Sequence, residues 1–531
     1  MKNYLFARAN PEDGGWGLHI EGESSVLGTS LNYIALRIFG VEADHPVMTK
    51  ARATLHRLGG ATHAPHWAKF WMAVLGVCKY DIVNPAPPEL WLLPDWVPIA
   101  PWRWWIHIRQ VFLCMSYISS KKWSCEEDDL IRSLRNEVFV EPWESIDWTA
   151  HRNSICARDN YHPKSWLLNT ANWLLVNVWN PYLRSNALKN KAEGWVSDLI
   201  DMEMANTDFA CLAPVNQPMS LVCCYIRDGP DAYTVRRLRD RMEDGLFVNS
   251  DGMMTCGTNG VQSWDTAFAI QAVVSAGLAE DPRWRPMLNK ALEFLDNQQI
   301  REEVKDMDKC YRHPRKGAWA FSTKVQGYAV SDCVSEALKS VILLQKEVPG
   351  YPQRLDDRRI FDAVDTLLTY QDPKTGGCAS YERPRGGEWM EMLNAAEIFG
   401  NIMVEYLYPE CTTAAVTTLK LFQKHWPDYR AKEVATFIER AVRWIKTAQY
   451  DHGGWYGSWA ICFTYATMFG LESLATIGET YENSESSRRG CEFLISKQRE
   501  DGGWSEHYQV CHCILLSLNS RPSKYSLANI S

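Results

Sequence analysis

Asp332 stands beside Cys333 and one helical turn ahead of Glu336, in the run Tyr328–Glu336 (YAVSDCVSE), where the helical spacing of Ser335–Gln345 begins. A carboxyl group so placed has an ordinary use. Asp332 or a neighbouring Ser caps a helix N-terminus, and Glu336 occupies the first turn, where the helix dipole favours negative charge. On spacing alone that reading leads. A second signal is an excess of aromatic rings: the chain carries 24 Trp, and 12% of its residues are aromatic, more than packing alone requires. Ring faces attract a cation without attacking it, each contributing about 0.5–2 kcal/mol. For any single ring, core packing remains the default.

These residues are set in a repeating frame. Arg440-Ala441-x2-Trp444-Ile445-x3-Gln449-x3-Gly453-Gly454-Trp455 recurs as Arg489-Gly490-x2-Phe493-Leu494-x3-Gln498-x3-Gly502-Gly503-Trp504. A looser copy runs from Lys290-Ala291 through Phe294-Leu295 and Gln299 to Lys316-Gly317-Ala318-Trp319, and Tyr4–Trp16 is the tail of another. Each unit joins an amphipathic helix end to a glycine turn, after which Trp folds back over the helix while the Gln amide caps a neighbouring helix terminus. Asp265–Ala279, Ser335–Gln345 and Phe437–Thr447 are expected helices, and nothing alternates strand with helix as a parallel sheet would. Such helix pairs can stack as an open solenoid or close into an α/α barrel. A glycine-rich break at Asn249–Gly260 divides an N-terminal domain, 1–248, from a repeat-bearing domain, 249–508. Cys511–Ser531 carries no repeat signature, so 509–531 is read as a separate tail.

A chain of 531 residues exceeds one ordinary core, in keeping with two domains. A net charge of −8 and the lack of any Lys/Arg-rich run leave no basic stripe for nucleic acid. The 16 Cys follow no disulfide framework, which fits reduced thiols and an intracellular setting. No apolar run reaches the roughly 18 residues of a spanning helix, so any membrane contact is expected to be monotopic. Pro85–Trp105, rich in proline and tryptophan, cannot form a regular helix; it is either a connection packed over a core or an interfacial anchor.

The acid motif together with the Gln…Gly-Gly-Trp repeats resembles the squalene/oxidosqualene cyclase family in its eukaryotic sterol-type branch. The resemblance runs from Tyr4 to about Tyr508 and extends to Trp104-Trp105-Ile106-His107, Gly257-Thr258-Asn259-Gly260 with Trp264-Asp265, Phe321-Ser322-Thr323, Ala379-Ser380-Tyr381-Glu382, Glu410-Cys411-Thr412 and Gly457-Ser458-Trp459. It implies an all-α protein of two α/α barrels around an apolar cavity, seated in one membrane leaflet on the endoplasmic reticulum or lipid droplets. The implied reaction cyclises (3S)-2,3-oxidosqualene to a tetracyclic sterol precursor such as lanosterol, with neither metal nor organic cofactor. Asp332 would be the proton donor, kept neutral by burial, with Cys333 and Cys411 hydrogen-bonding its carboxyl. Trp264, Phe321 and Trp459 would stabilise the migrating cation. His107, beside Trp105, would take the final proton, with Tyr381 as its partner. Trp319, Trp455 and Trp504 are assigned to the frame.

The pattern departs from the family in three places. Val334-Ser335 replaces Thr-Ala, with little expected consequence. The chain begins inside a repeat, and the last repeats with their cavity aromatics are replaced by the tail, so the barrels are expected to be incomplete at both ends. Three other readings are kept: a protostadienol-type cyclase, suggested by Tyr408-Pro409; an inactive remnant; and a protein prenyltransferase β-subunit, which would need an Asp/Cys/His zinc site. No suitably placed His accompanies Asp332 and Cys333.

Overall fold

Helices dominate because apolar residues recur along the chain every three to four positions, giving each segment one face to bury. In Ala431–Thr447 that face is Val434, Phe437, Ile438, Ala441, Val442 and Ile445. The computed structural model describes residues 1–257, 260–458 and 462–506; the proposed tail and Trp459 lie outside them.

In the C-terminal half, helices alternate between two layers. Gln262–Ser275, Ser331–Ile342, Pro409–His425 and Cys462–Thr476 pack one on the next as an inner row, and Arg285–Gln298, Asp357–Leu368, Ala431–Thr447 and Glu485–Lys497 back them as an outer row. Burial follows the layering. Every residue of Ser331–Ile342 is buried, whereas the outer helices bury only a stripe. Alternating inner and outer helices are the α/α arrangement expected above, seen here as an arc of four successive pairs.

The repeats staple this arc. The Trp455 indole donates to the Ile445 carbonyl (2.7 Å), Trp319 to Leu295 (2.8 Å), Trp504 to Leu494 (2.8 Å) and Trp16 to Leu5 (2.9 Å), so each ring is tied back to the end of its own helix. Each Gln amide closes the glycine turn and, in the inner copies, reaches the next outer helix: Gln449 donates to Gly453 and Ser486, and Gln299 to Gly317 and Arg359. The amide thus bonds a first-turn carbonyl rather than capping free N–H groups. The turn demands glycine. Gly453 has φ +95°, and a Cβ there would strike the Arg489 carbonyl oxygen; Gly317, at φ +87°, would strike Asp362 backbone in the same way. Gln371 with Gly376-Gly377 is a further copy that the sequence reading passed over, because Cys378 occupies the Trp position; its amide bonds Gly376 and, in the second turn of the next outer helix, Phe437.

Two large apolar cores result. One runs from Trp16 to Leu238 and is joined by Val304, Cys310 and Ile398; the other runs from Ile270 to Leu474. A short antiparallel hairpin, Leu246–Asn249 with Gly252–Thr255, falls between them in sequence, near the break expected from the glycines. Pro85–Trp105 forms only two 3-10 turns, Pro88–Leu92 and Pro101–Arg103. Its tryptophans divide, with Trp91 and Trp104 buried and Trp96 77% exposed.

Candidate active site

The acid lies at the head of the wholly buried helix Ser331–Ile342. Asp332 does not cap it: the N-cap is Val330, without a side-chain bond. Instead the Ser331 hydroxyl donates to Ala379 and its N–H to the Ser380 carbonyl (2.8 Å), fixing the helix start against the strand of chain that carries Tyr381. Asp332 Oδ1 accepts the backbone N–H of Cys333 (2.9 Å), and Oδ2 accepts the Cys411 thiol (Sγ at 3.6 Å) from the neighbouring inner helix. Both cysteines therefore contact the acid, Cys411 through its thiol and Cys333 through its main chain.

Burial pushes the Asp332 carboxyl up to about 7, against the Cys333 N–H and the Cys411 thiol, which pull it down; Glu336, one turn on, pushes it further up. The group therefore carries its proton for a large part of the time at neutral pH. Its two hydrogen-bond donors stabilise the carboxylate left behind when that proton is given away. Glu336 itself is buried and paired, accepting from Gln271 Nε2 (2.7 Å) and lying 2.8 Å from Lys339 Nζ. The helix starts at Ser331, so Glu336 lies in its second turn and not in the first as the default reading had it.

A separate small cluster brings together Ile106, Tyr328, Val330, Cys333 and Tyr381, all buried, with the partly exposed rings of Trp105, Trp264 and Phe321 packed on it. Tyr381 sits at its centre. His107 meets it edge-on with ring centroids 5.1 Å apart, and Phe321 and Tyr328 lie at 6.4 and 6.3 Å. Trp105 is tilted over His107 at 4.4 Å, and Trp264 lies 5.7 Å from Phe321. Six of the nine expected residues, Trp105, His107, Trp264, Phe321, Cys333 and Tyr381, thus gather in one cluster that touches the acid helix through Cys333; Asp332 is the chain neighbour of Cys333, and Cys411 bonds Asp332. Phe268, 4.6 Å from Trp264, was not anticipated, although it lies one helical turn on from that ring.

Burial, with a contribution from the Arg109 charge, pushes the His107 imidazole down to about 3, so the ring is neutral at pH 7 and able to accept a proton. Behind Tyr381 its chain neighbour Glu382 forms a fully buried bidentate pair with Arg109 (2.8 and 3.1 Å). Burial opposes the Glu382 charge, yet Arg109 and Arg385 hold its carboxyl below the ordinary range. Arg109 lies two residues beyond His107, so this pair ties the Tyr381 segment to the His107 helix. Sequence offered no sign of it, since the partners are far apart in the chain.

What this arrangement can do is limited and specific. It brings a carboxyl that holds its proton near neutral pH, next in the chain to Cys333 of the ring cluster, together with a neutral imidazole and a phenol packed on the same rings, whose faces can stabilise a cation. The comparisons agree. The squalene-hopene cyclase N-terminal domain matches residues 1–225 and the C-terminal domain residues 261–522, past the boundary expected at 508. The chain is 69% identical to lanosterol synthase erg7B of Aspergillus fumigatus over 91% of its length and 68% of that protein's. It is 68% identical to lanosterol synthase ERG7 of Gibberella zeae over 93% of its length and 64% of that protein's. With lanosterol synthase ERG7 of Saccharomyces cerevisiae it shares 47% identity over 95% of its own length and 69% of the relative's. It thus spans about two thirds of the length of these relatives. On the two domain matches and these identities, the chain belongs to the squalene-hopene cyclase family.

Proposed function

We propose that the protein is an isomerase that cyclises (3S)-2,3-oxidosqualene to a tetracyclic sterol precursor, lanosterol. Asp332 gives its proton to the epoxide oxygen, the C–O bond breaks as the first ring closes, and the epoxide oxygen leaves the cascade as the product hydroxyl. The positive charge then passes along the folded chain under the faces of Trp264, Phe321 and Trp105. It ends when His107, oriented by Tyr381, takes a proton from carbon and leaves a double bond. One proton enters and one leaves, so no oxidant or reductant is consumed. An imidazole held near 3 is a feeble base toward water but ample toward a carbocation, whose adjacent C–H bonds are far more acidic.

The observation that carries this reading is the pairing of a proton-retaining Asp332, bonded by Cys411, with the ring cluster that begins at Cys333. The names of the sterol-forming relatives support the product. Pro409 occupies the first position of the helix bearing Cys411, where proline needs no N–H partner, so Tyr408-Pro409 does not disturb the acid and gives no reason to prefer a protostadienol-type product.

Substrate and product are both hydrocarbon-like, which calls for a membrane-facing surface. The helix Trp166–Leu174 and the π-helical stretch Leu175–Leu183 expose Trp166, Trp173 (60%), Leu174, Tyr182 (81%) and Leu183 together. Among the described residues no helix is long and apolar enough to cross a membrane. We place this face, rather than Pro85–Trp105, in one leaflet of an endoplasmic-reticulum or lipid-droplet membrane.

Expression in cells lacking their own cyclase, with oxidosqualene supplied and neutral lipids analysed by mass spectrometry, tests the activity. A new tetracyclic alcohol that disappears with Asp332→Asn is the expected result. Unchanged oxidosqualene with a folded protein would reject the reading. Flotation with phospholipid vesicles, compared between the wild type and a Trp173→Ser, Tyr182→Ser variant, tests the membrane face; equal flotation would move the contact elsewhere.

A further inference from the structure

Three rings cradle Tyr381, and their outer ends are not held alike. Phe321 has no polar end. His107 is placed by the first turn of its helix. Tyr328, by contrast, is anchored from behind by charge: its hydroxyl donates to Glu203 Oε2 at 2.6 Å, and Arg312 Nη1 bonds the same oxygen at 3.1 Å. The Arg312 guanidinium also lies flat over the Tyr328 ring, its Cζ 3.2 Å from the centroid. All three residues are buried. Glu203 comes from the long helix Asn186–Thr207 of the N-terminal half, so the anchor crosses between the two halves of the chain.

Two further contacts give this anchor a direction. Gln110 Nε2 donates to the Tyr328 hydroxyl at 3.2 Å, and Gln110 lies one helical turn beyond His107, so the same oxygen braces the helix carrying the candidate base. On the other side, Arg312 Nη2 and Arg315 Nη1 both bond the Gly327 carbonyl (2.6 and 3.0 Å), clamping the chain just before Tyr328. Asp332 follows four residues later. The ring that props Tyr381 and the brace on the His107 helix therefore share one buried hydroxyl and the ion pair behind it, whereas Asp332 is held separately by the Cys333 N–H and the Cys411 thiol.

We propose that Tyr328 is a positioning residue that determines product specificity: its hydroxyl, held by Glu203, Arg312 and Gln110, fixes Tyr381 and His107 relative to Asp332 and so selects the carbon that loses the final proton. This rests on the cyclase reading above. Tyr328 does not touch the reacting atoms, and epoxide opening at Asp332 does not need it. Loss of the hydroxyl should therefore leave substrate consumption almost intact while redistributing its products. A generally loosened protein would instead lose activity without changing the product ratio.

The test compares the full chain with Tyr328→Phe, which keeps the ring and deletes the oxygen. Consumption of oxidosqualene should stay within about two-fold, while alternative deprotonation products rise by about ten-fold over their wild-type share. An unchanged product ratio overturns the proposal and leaves the cyclase reading standing. If the wild type converts nothing, the cyclase reading fails. The positioning claim is then judged by calorimetric titration with N,N-dimethyldodecylamine, whose ammonium form probes the ring cluster as a stand-in cation. Tyr328→Phe should weaken its binding by about three-fold or more through the displaced Tyr381 ring, and an equal affinity overturns the claim. Should Tyr328→Phe not fold, Gln110→Met, which leaves the Glu203–Arg312 pair intact, is read by the same two measurements and the same criteria.

Discussion

The aromatic residues of the frame and those of the candidate site are chemically alike and physically opposite. Trp319 and Trp455 are completely buried, each with its indole N–H satisfied by the carbonyl at the end of its own helix. Trp105, Trp264 and Phe321 keep part of their surface free and meet their neighbours edge-on or tilted, with faces left over. A ring whose surface is fully used can only stabilise the fold, whereas one with an uncovered face can also stabilise a passing charge. The same contrast holds for carboxylates. Glu382 is buried with two arginines and held ionised; Asp332 is buried with only weak donors and held near its proton.

Asp332→Asn breaks the comparison most sharply. Turnover should fall by about 10³-fold or more, the upper part of the range for a general acid, measured as oxidosqualene consumption per folded molecule. Stability should move the other way. Because the folded-state group is raised from 3.8 to about 7, folding favours its protonated form, and the wild type loses that advantage as pH rises from about 4 through about 7. Asn cannot ionise. The variant should therefore unfold at a higher temperature than the wild type at pH 8, with the gap narrowing toward pH 5 and closing only near pH 4; a gap that widened toward acid would contradict the raised pKa.

Trp455→Ala is the counterpart in the frame. Removing a buried indole and its hydrogen bond should cost about 3–5 kcal/mol of stability, read from chemical denaturation, while the product ratio of the surviving folded protein stays the same. Trp455 stands over Gly470 and Gly490 in the structure, so the cavity has backbone walls that cannot readily collapse into it.

Much of this frame was legible because repetition is visible in a single sequence. The Gln, Gly-Gly and Trp positions mark where each helix ends, and their spacing implied the stapling that the structure displays. The copy at Gln371 escaped because its signal residue is Cys378, although its glycine turn and amide bonds are the same. The site was legible only through the resemblance. Asp332 alone reads as a helix cap, and what separates it from one is the Cys411 thiol arriving from another inner helix and the burial of the whole first turn. The Arg109–Glu382 and Tyr328–Glu203–Arg312 contacts could not be read at all, since nothing in local pattern links residues so far apart in the chain.

The acid end can be sharpened without removing the acid. If protonated Asp332 is the active form, the rate of epoxide opening should fall about ten-fold per pH unit above pH 7. Cys411 supplies one of the donors that pull the carboxyl down, so Cys411→Ala should raise the pKa, make Asp332 a weaker acid and slow turnover by about ten-fold at pH 6. It should also shift the falling limb of the pH profile to higher pH. A slower enzyme with an unmoved limb would mean that Cys411 acts by packing and not through the carboxyl.

Trp264→Phe should produce the smallest change, and for that reason it tests the contrast between the two kinds of ring most narrowly. Phe retains an aromatic face but a weaker one, so the loss of charge stabilisation is a fraction of the 0.5–2 kcal/mol a ring contributes, about a two- to five-fold drop in turnover. Trp264 keeps part of its surface exposed and borders Phe268 and Phe321, which can close over the smaller side chain. The stability loss should accordingly be under about 1 kcal/mol, well below that of the frame tryptophan. Trp264→Leu separates the two contributions: it fills similar space without a π face, so stability should stay close to that of the Phe variant while turnover falls further. If Leu and Phe were equally active, the Trp264 ring would belong with the frame, and the cation would have to find its stabilisation at Phe321 and Trp105.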